Sequence, residues 1–165
     1  MPGGLVRAGR GGAGRAQGVV SVELALTAPV LMLLLFGILE LGALVSDFVV
    51  LNAAARAGAR SAAVGWPTAV IETRIASVAS SLNEEAISVT LQRRTLSGGS
   101  WSSWTTLGDT NDGSGLVNDA PQGAEIRVQL SYRHELLAPA IFSLLADGPG
   151  VTYKTLHASA YMQRE

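Results

Sequence analysis

The chain has 165 residues, enough for one domain and a membrane anchor. Only 15% of its side chains are charged and 48% are hydrophobic, which disfavours a disordered protein and fits a membrane-anchored one. It contains no cysteine, so zinc–thiolate sites and cysteine nucleophiles are excluded.

The N-terminal segment is basic and rich in glycine. Arg7, Arg10 and Arg15 precede the first acidic residue, Glu23. A basic segment ahead of an apolar run predicts that the N-terminus lies in the cytoplasm and the remainder of the chain outside. Three arginines without neighbouring aromatic residues do not indicate a nucleic-acid partner.

A long apolar run follows, from Val19 to Leu51, with charges only at Glu23, Glu40 and Asp47. As a helix with a rise of about 1.5 Å per residue, residues 24–44 would span roughly 31 Å, enough to cross the hydrocarbon layer. The run therefore predicts one membrane-spanning helix.

Several residues of this helix are candidates for packing. Pro29 lies in its first half, where membrane helices tolerate a kink. The helix is predicted to continue through the alanine-rich residues 51–64, whose small side chains allow another backbone to approach closely. The candidate packing residues are Pro29, Gly37, Gly42, Arg56 and Arg60.

The remaining sequence predicts an α+β domain, with one helix packed on three or four antiparallel strands. The apolar spacing predicts a helix over 68–82, and Ile126, Val128, Leu130 and Tyr132 are predicted to point inward from a strand. The other predicted elements are strands over 86–93, 125–133 and 151–162, a weaker strand over 101–107, a loop over 108–122 and a short helix or turn over 136–145.

The spacing of Gly18 and Glu23 is the most informative motif. A carboxylate at the mouth of a membrane helix costs several kcal/mol to bury, so it should have a partner. An α-amino group on Val19, created by cutting the chain after Gly18, is a suitable partner. The alternatives are an uncut membrane anchor, with Glu23 near the headgroups, and a conventional signal peptide, for which the apolar run is too long.

A glycine, a glutamate five residues later and an unbroken apolar helix resemble the class III signal of type IV pilin-like proteins. The chain is most similar to the TadE-like pseudopilins, minor components of tight-adherence (Flp) pilus systems. The similarity is carried by residues 23–31, 37–42 and 52–60, and more weakly by residues 158–165.

This resemblance implies three segments: a leader at 1–18, an assembly helix at 19–64 and an exported domain at 65–165. It also implies cleavage between Gly18 and Val19 by a prepilin peptidase, a location in the inner membrane, and partners among other pilins and the tight-adherence secretion machinery. Glu23 and Glu40 would form charge pairs during assembly. No cofactor, metal or enzymatic activity is predicted. The alternative function is a single-pass membrane protein whose exported domain binds an extracellular ligand.

Other polar and aromatic residues have competing interpretations. Glu40 and Asp47 share a helix face, where they would contact an arginine of a neighbouring subunit or simply be hydrated. The segment 109–113 fails the EF-hand template, which favours a solvated loop over a calcium site. Trp101 and Trp104 would lie on opposite sides of a strand, one in the core and one covering an edge. No nucleophile motif accompanies the two histidines, His134 and His157.

Overall fold

In the computed structural model the backbone of residues 13–165 and the side chains of residues 20–165 are described. The chain forms two compact units, one ending at Leu39 and the other comprising Glu40–Glu165. Helix α1, Ala13–Ala63, has 51 residues and contributes to both units. The sequence-based division, an assembly helix over 19–64 and an exported domain over 65–165, stays a prediction, with the helix ending at Ala63.

Within the described part of the chain, α1 is the one helix long and apolar enough to cross a membrane. Over Val20–Ala63 its most apolar window has a mean hydropathy of 2.3, and only 6% of that window is buried. From Glu40 onward the helix is instead covered on one side. Its buried residues there include Leu51, Ala54, Ala55, Ala59 and Ala62.

The second unit is an α+β domain, as the sequence predicted. Its central sheet has four antiparallel strands in the order β4-β1-β7-β8, and two separate hairpins pair β2 with β3 and β5 with β6. The elements after α1 are α2 (Thr68–Val78), a 3-10 turn (Glu84–Ala86), β1 (Ile87–Arg94), β2 (Leu96–Ser97), β3 (Ser100–Trp101), β4 (Thr105–Thr106), β5 (Asp109–Asn111), β6 (Leu116–Asn118), β7 (Glu125–Glu135) and β8 (Tyr153–Gln163).

One face of the sheet packs on α1 and α2. The alternation predicted for β7 is confirmed, since Ile126, Val128, Leu130 and Tyr132 are all buried. The register places Val128 opposite Leu91 of β1 and Ala160 of β8, so the three strands present apolar side chains to the same core. Ile71 and Ile75 of α2 complete this core.

The end of α2 differs from the prediction. The helix stops at Val78 rather than at Leu82, and Asn83 does not end it. The Asn83 side chain instead accepts a hydrogen bond from the Glu85 amide at 3.2 Å and caps the 3-10 turn. Short polar side chains compete in this way with helix continuation.

The predicted loop over 108–122 contains the β5–β6 hairpin, so that prediction was wrong. The Asp112 carboxylate closes the turn, accepting bonds from the amides of Ser114 and Gly115 at 2.9 and 3.1 Å. Gly113 has φ +91°, the left-handed conformation that glycine adopts without strain. Hydrogen bonding by Ser114 lowers the pKa of Asp112. Asp109 accepts bonds from the Thr68 amide at 2.8 Å and the Thr68 hydroxyl at 2.7 Å, at the start of α2.

Two further segments are less regular than predicted. The weak strand over 101–107 is broken at Ser102, whose amide donates to the Thr95 carbonyl oxygen at 2.9 Å, so β3 and β4 belong to different sheets. Residues 136–145 form consecutive turns, which agrees with the turn alternative of that prediction.

Candidate functional site: the N-terminal helix and its buried carboxylate cluster

The predicted cleavage site lies within the first turns of α1. The backbone at Gly18 and Val19 is helical. The side chains of Arg15 and Val19, and all of Arg7 and Arg10, lie outside the described residues. Cleavage after Gly18 therefore stays a prediction.

Glu23 lies on the exposed apolar part of the helix, one turn before Thr27. The Thr27 hydroxyl donates to the Glu23 carbonyl oxygen at 2.9 Å. Among residues 20–165 no side chain forms an ion pair with the Glu23 carboxylate. Pro29 lies within α1, which continues beyond it to Ala63.

Glu40 is fully buried in the second unit. One carboxylate oxygen, Oε2, accepts a hydrogen bond from the Leu137 amide at 3.0 Å. The other, Oε1, lies 3.3 Å from Nε2 of His134. Glu40 has 0% exposure, so its carboxylate is not in contact with solvent. Burying a carboxylate is costly unless it is hydrogen-bonded or paired, and these two contacts meet that requirement.

Asp47 completes the cluster from two helical turns further along α1. Its Oδ2 lies 2.7 Å from Nδ1 of His134, so the imidazole bridges the two carboxylates. The Asp47 side chain keeps 22% exposure, whereas that of His134 keeps 8%. Burial raises the pKa of the Tyr132 hydroxyl, and the Asp47 charge raises it further.

This cluster joins the helix to the sheet. His134 lies on the inward face of β7, two residues beyond Tyr132, opposite Lys154 of β8. Neither sequence-based interpretation of Glu40 and Asp47 anticipated a partner within the same chain. An assembly contact for Glu40 stays a prediction, but its carboxylate is already engaged. Two signals in the sequence pointed to the cluster: the spacing of Glu40 and Asp47, and the continuation of the β7 alternation to His134.

The small residues of α1 have different surroundings along the helix. At Gly42 a Cβ atom would meet nothing within 4 Å, and Gly37 is partly exposed. At Gly58 a Cβ atom would lie 2.7 Å from Cδ1 of Ile75 and 3.5 Å from Cγ1 of Val128. The close approach predicted for the alanine-rich segment is therefore made by α2 and the sheet of the same chain, at a glycine that was not singled out.

Arg56 and Arg60 lie on the exposed side of this segment. Both side chains are accessible, and within residues 20–165 neither forms a salt bridge. Their predicted partners on a neighbouring subunit, Glu40 and Asp47, are bound to His134. The arginines remain available to acidic groups from outside the chain.

The C-terminal end of α1 is held by residues that sequence reasoning missed. The Asn118 amide, 2% exposed, donates to the carbonyl oxygens of Ala62 and Trp66 at 2.8 and 3.0 Å. Nη1 of Arg164 donates to the Ala63 carbonyl oxygen at 3.0 Å. Carbonyl groups at a helix end have no partners within the helix, and these side chains provide them. Gly65, with φ +97°, leaves the space that the Arg164 guanidinium occupies.

The opposite face of the sheet carries a stack of aromatic and cationic side chains. The Arg94 guanidinium lies 4.8 Å from the ring centre of Trp101 and 4.4 Å from that of Trp104, and Arg127 lies 4.2 Å from Trp104. Trp101 is 42% exposed and Trp104 is partly buried against Tyr161. The prediction that one tryptophan lies in the core was wrong, because both rings lie outside the core and stack with arginine guanidinium groups.

Two carboxylates outside α1 have lowered pKa values. Burial raises the pKa of Asp119, but hydrogen bonds from Arg93 and the Gly108 amide outweigh this and bring it below 3.8. Hydrogen bonds from Thr155 and Lys154 lower the pKa of the exposed Asp147 to about 2. Both groups are therefore ionised at neutral pH, where Asp119 binds Arg93 of β1 and Asp147 binds Lys154 and Thr155 of β8.

The comparison with protein families gives a match in the N-terminal helix. Residues 18–60 match the family described as TadE-like protein. This confirms the resemblance over a segment that includes Gly18, Glu23 and Glu40. Neither the curated proteins nor the solved structures gave a match to the chain. The chain is thus similar to the TadE-like family over residues 18–60.

Proposed function

We propose that the protein is a TadE-like minor pseudopilin that takes part in the assembly of tight-adherence (Flp-type) pili. The observation that carries this proposal is the family match over residues 18–60, on a helix that is apolar and exposed in its first part. The role is structural, with no enzymatic activity, cofactor, metal or nucleic acid involved.

The two parts of α1 suit the two tasks of such a subunit. Residues 20–39 would extend about 30 Å, the thickness of the hydrocarbon layer. Beyond them the same helix is buried against the sheet at Leu51, Ala55 and Ala59. One continuous helix would therefore serve both as the membrane anchor and as part of the core of the domain.

Maturation would supply the partner of Glu23. A prepilin peptidase cutting between Gly18 and Val19 would leave a new α-amino group on Val19, close to Glu23 in the first turns of the helix. At an effective dielectric constant near 20, charges about 4 Å apart attract by about 4 kcal/mol, similar to the cost of burying the carboxylate. The pair would form within one subunit or between neighbours.

The basic leader sets the orientation in this proposal. Arg7, Arg10 and Arg15 would hold the N-terminus in the cytoplasm, with α1 crossing the inner membrane once and the domain outside. The partners are the prepilin peptidase, other pilins and pseudopilins, and the tight-adherence secretion machinery.

Processing is tested by co-expressing the full chain with the prepilin peptidase of a tight-adherence system. Intact mass and N-terminal sequencing of the membrane-extracted protein should show loss of residues 1–18 and a new N-terminus at Val19. A Gly18→Phe variant is the matched control and should keep its full length, because a bulky side chain blocks access to the peptide bond. An uncut wild-type chain, beside a major pilin that the same peptidase cuts, would refute the proposed maturation.

The exposed face of the sheet favours one alternative, a membrane-anchored protein whose exported domain binds an extracellular ligand. Trp101 and Tyr161 are both exposed there, and aromatic rings on an open sheet face are typical of recognition surfaces. The two functions are separated by a pilus assembly assay. If Glu23→Gln leaves the number of pili unchanged while Trp101→Ala weakens binding of the exported domain to an extracellular ligand, the ligand-binding function is the correct one.

A further inference from the structure

The segment Leu136–Leu145 between β7 and β8 is apolar and displays large side chains on its surface. None of its ten residues is charged. Leu136 is buried, but Leu137, Ile141 and Leu144 are 66%, 47% and 97% exposed. Exposed apolar side chains concentrated in one short segment are uncommon on a surface that faces only water.

The segment is tied to the point where the domain begins along α1. The Leu137 amide donates to the buried Glu40 carboxylate at 3.0 Å, and Glu40 directly follows Leu39 in the helix. Leu145 also contributes to an apolar groove beside the helix, whose other lining residues are Leu44, Val45, Phe48, Lys154 and Leu156. The exposed leucines therefore lie beside the first turns of α1 that belong to the domain.

The length of the apolar helix would place Glu40 and the segment bonded to it near a membrane surface. A span of about 30 Å, whether counted over residues 20–39 or over residues 24–44, would bring Glu40 within about one helical turn of the outer boundary. The segment held by Glu40 would then lie at the depth of the headgroups and the first methylene groups. Lys154, at the edge of the groove, is 42% exposed, and its ammonium group lies 3.0 Å from Oδ1 of Asp147, so this charged pair marks the polar edge of the segment while the lysine stem lies beside apolar side chains.

We propose that Leu136–Leu145 is an interfacial membrane-binding segment, which inserts Leu137, Ile141 and Leu144 into the outer leaflet of the membrane that α1 spans. The occupant of this apolar surface is lipid, because its large exposed side chains are apolar and the segment is bonded to Glu40, which directly follows the apolar run in the helix. The inference rests on the proposed membrane span and not on a role in pili. Its consequence is a domain with a second attachment to the bilayer in addition to its helix.

The absence of cysteine allows a direct measurement of depth. Single-cysteine variants Leu144→Cys and Ile141→Cys of the full chain are labelled with an environment-sensitive fluorophore and reconstituted into vesicles of phosphatidylethanolamine and phosphatidylglycerol. Quenching is compared between lipids that carry a nitroxide near the headgroup and lipids that carry it near the end of the acyl chain. Interfacial segments insert only about 5–10 Å deep, so the shallow nitroxide should quench positions 141 and 144 severalfold more than the deep one.

Two control positions separate the possible failures. Leu116→Cys replaces another exposed leucine, 56% accessible, in the β5–β6 hairpin, and neither nitroxide should quench it. Val30→Cys lies near the middle of residues 20–39 and should be quenched most by the deep nitroxide.

Quenching at 30 without quenching at 141 and 144 would overturn the interfacial segment and leave the membrane span intact. A blue-shifted but unquenched label at 144 would show a protein contact instead of lipid and would also overturn it. Absence of quenching at all four positions would refute both the span and the segment.

Discussion

The buried cluster of Glu40, His134 and Asp47 allows a quantitative prediction for His134→Leu. The substitution removes the imidazole that lies 3.3 Å from Glu40 and 2.7 Å from Asp47. The Glu40 carboxylate, with no exposure, would keep only the bond from the Leu137 amide. Leaving a buried carboxylate without one of its two hydrogen-bonding partners costs more than the roughly 1–3 kcal/mol typical of a neutral buried group, and we expect a loss of unfolding free energy of about 3 kcal/mol.

A second substitution tests the cause of this loss. In the Glu40→Leu/His134→Leu variant no buried carboxylate is left unpaired at position 40. The Leu137 amide would lose its acceptor, which costs about 1–3 kcal/mol. The double variant should therefore be more stable than His134→Leu alone, so the effects of Glu40→Leu and His134→Leu should not add, as is usual for side chains in direct contact.

The assay is urea unfolding of the full chain in detergent micelles, followed by tryptophan fluorescence. His157→Leu is the matched control, because this histidine lies exposed on the opposite face of the sheet and should change stability by less than about 0.5 kcal/mol. If His134→Leu behaves like His157→Leu, or if the effects of Glu40→Leu and His134→Leu simply add, the cluster does not hold the helix to the sheet.

Three other substitutions test contacts elsewhere in the chain. Gly58→Val should lower the unfolding free energy by about 1–3 kcal/mol, because the new side chain would overpack against Ile75. Gly42→Val is the control, since a Cβ atom there meets nothing within 4 Å, and equal urea midpoints for the two variants would contradict the prediction. Because the pKa of Asp147 is lowered from 3.8 to about 2 in the folded protein, its carboxylate stabilises the fold above pH 3.8, and this stabilisation is lost as the pH falls toward 2. The urea midpoint of Asp147→Asn should therefore depend less on pH between about 4 and 2 than that of the wild type, and parallel pH profiles would refute this. Glu23→Gln should preserve cleavage and membrane levels but reduce crosslinking of the mature protein to other pilins, while equal crosslinking would exclude an assembly contact.

Local patterns were sufficient to predict α1 and the three longest strands, β1, β7 and β8, but not the β5–β6 hairpin. Alternation over β7 identified its inward face, because side chains on a strand alternate regardless of what covers them. The apolar part of α1 was equally clear, since an uninterrupted apolar run of this length is typical of a membrane-spanning helix. These features depend on neighbours a few residues apart.

Contacts between distant parts of the chain were not predictable in this way. His134 meets Glu40 across 94 residues, and Asn118 meets the end of α1 across 56. Asp109, considered as a calcium ligand or a loop residue, instead holds the first residue of α2. Each polar residue had several satisfactory local interpretations, and only the packing of the sheet against α1 selects one of them.

The order of the elements along the chain has a consequence for how the domain is made. Helix α1 is synthesised first, whereas β7 and β8, which cover its alanine-rich face, are the last two strands of the chain. Arg164 contacts Ala63 across 101 residues. Contacts this distant in sequence slow folding, because a long loop must close before they stabilise anything. In the proposed membrane protein, the helix would therefore be inserted before the domain has folded, and its alanine-rich side would stay uncovered until the last strands are made.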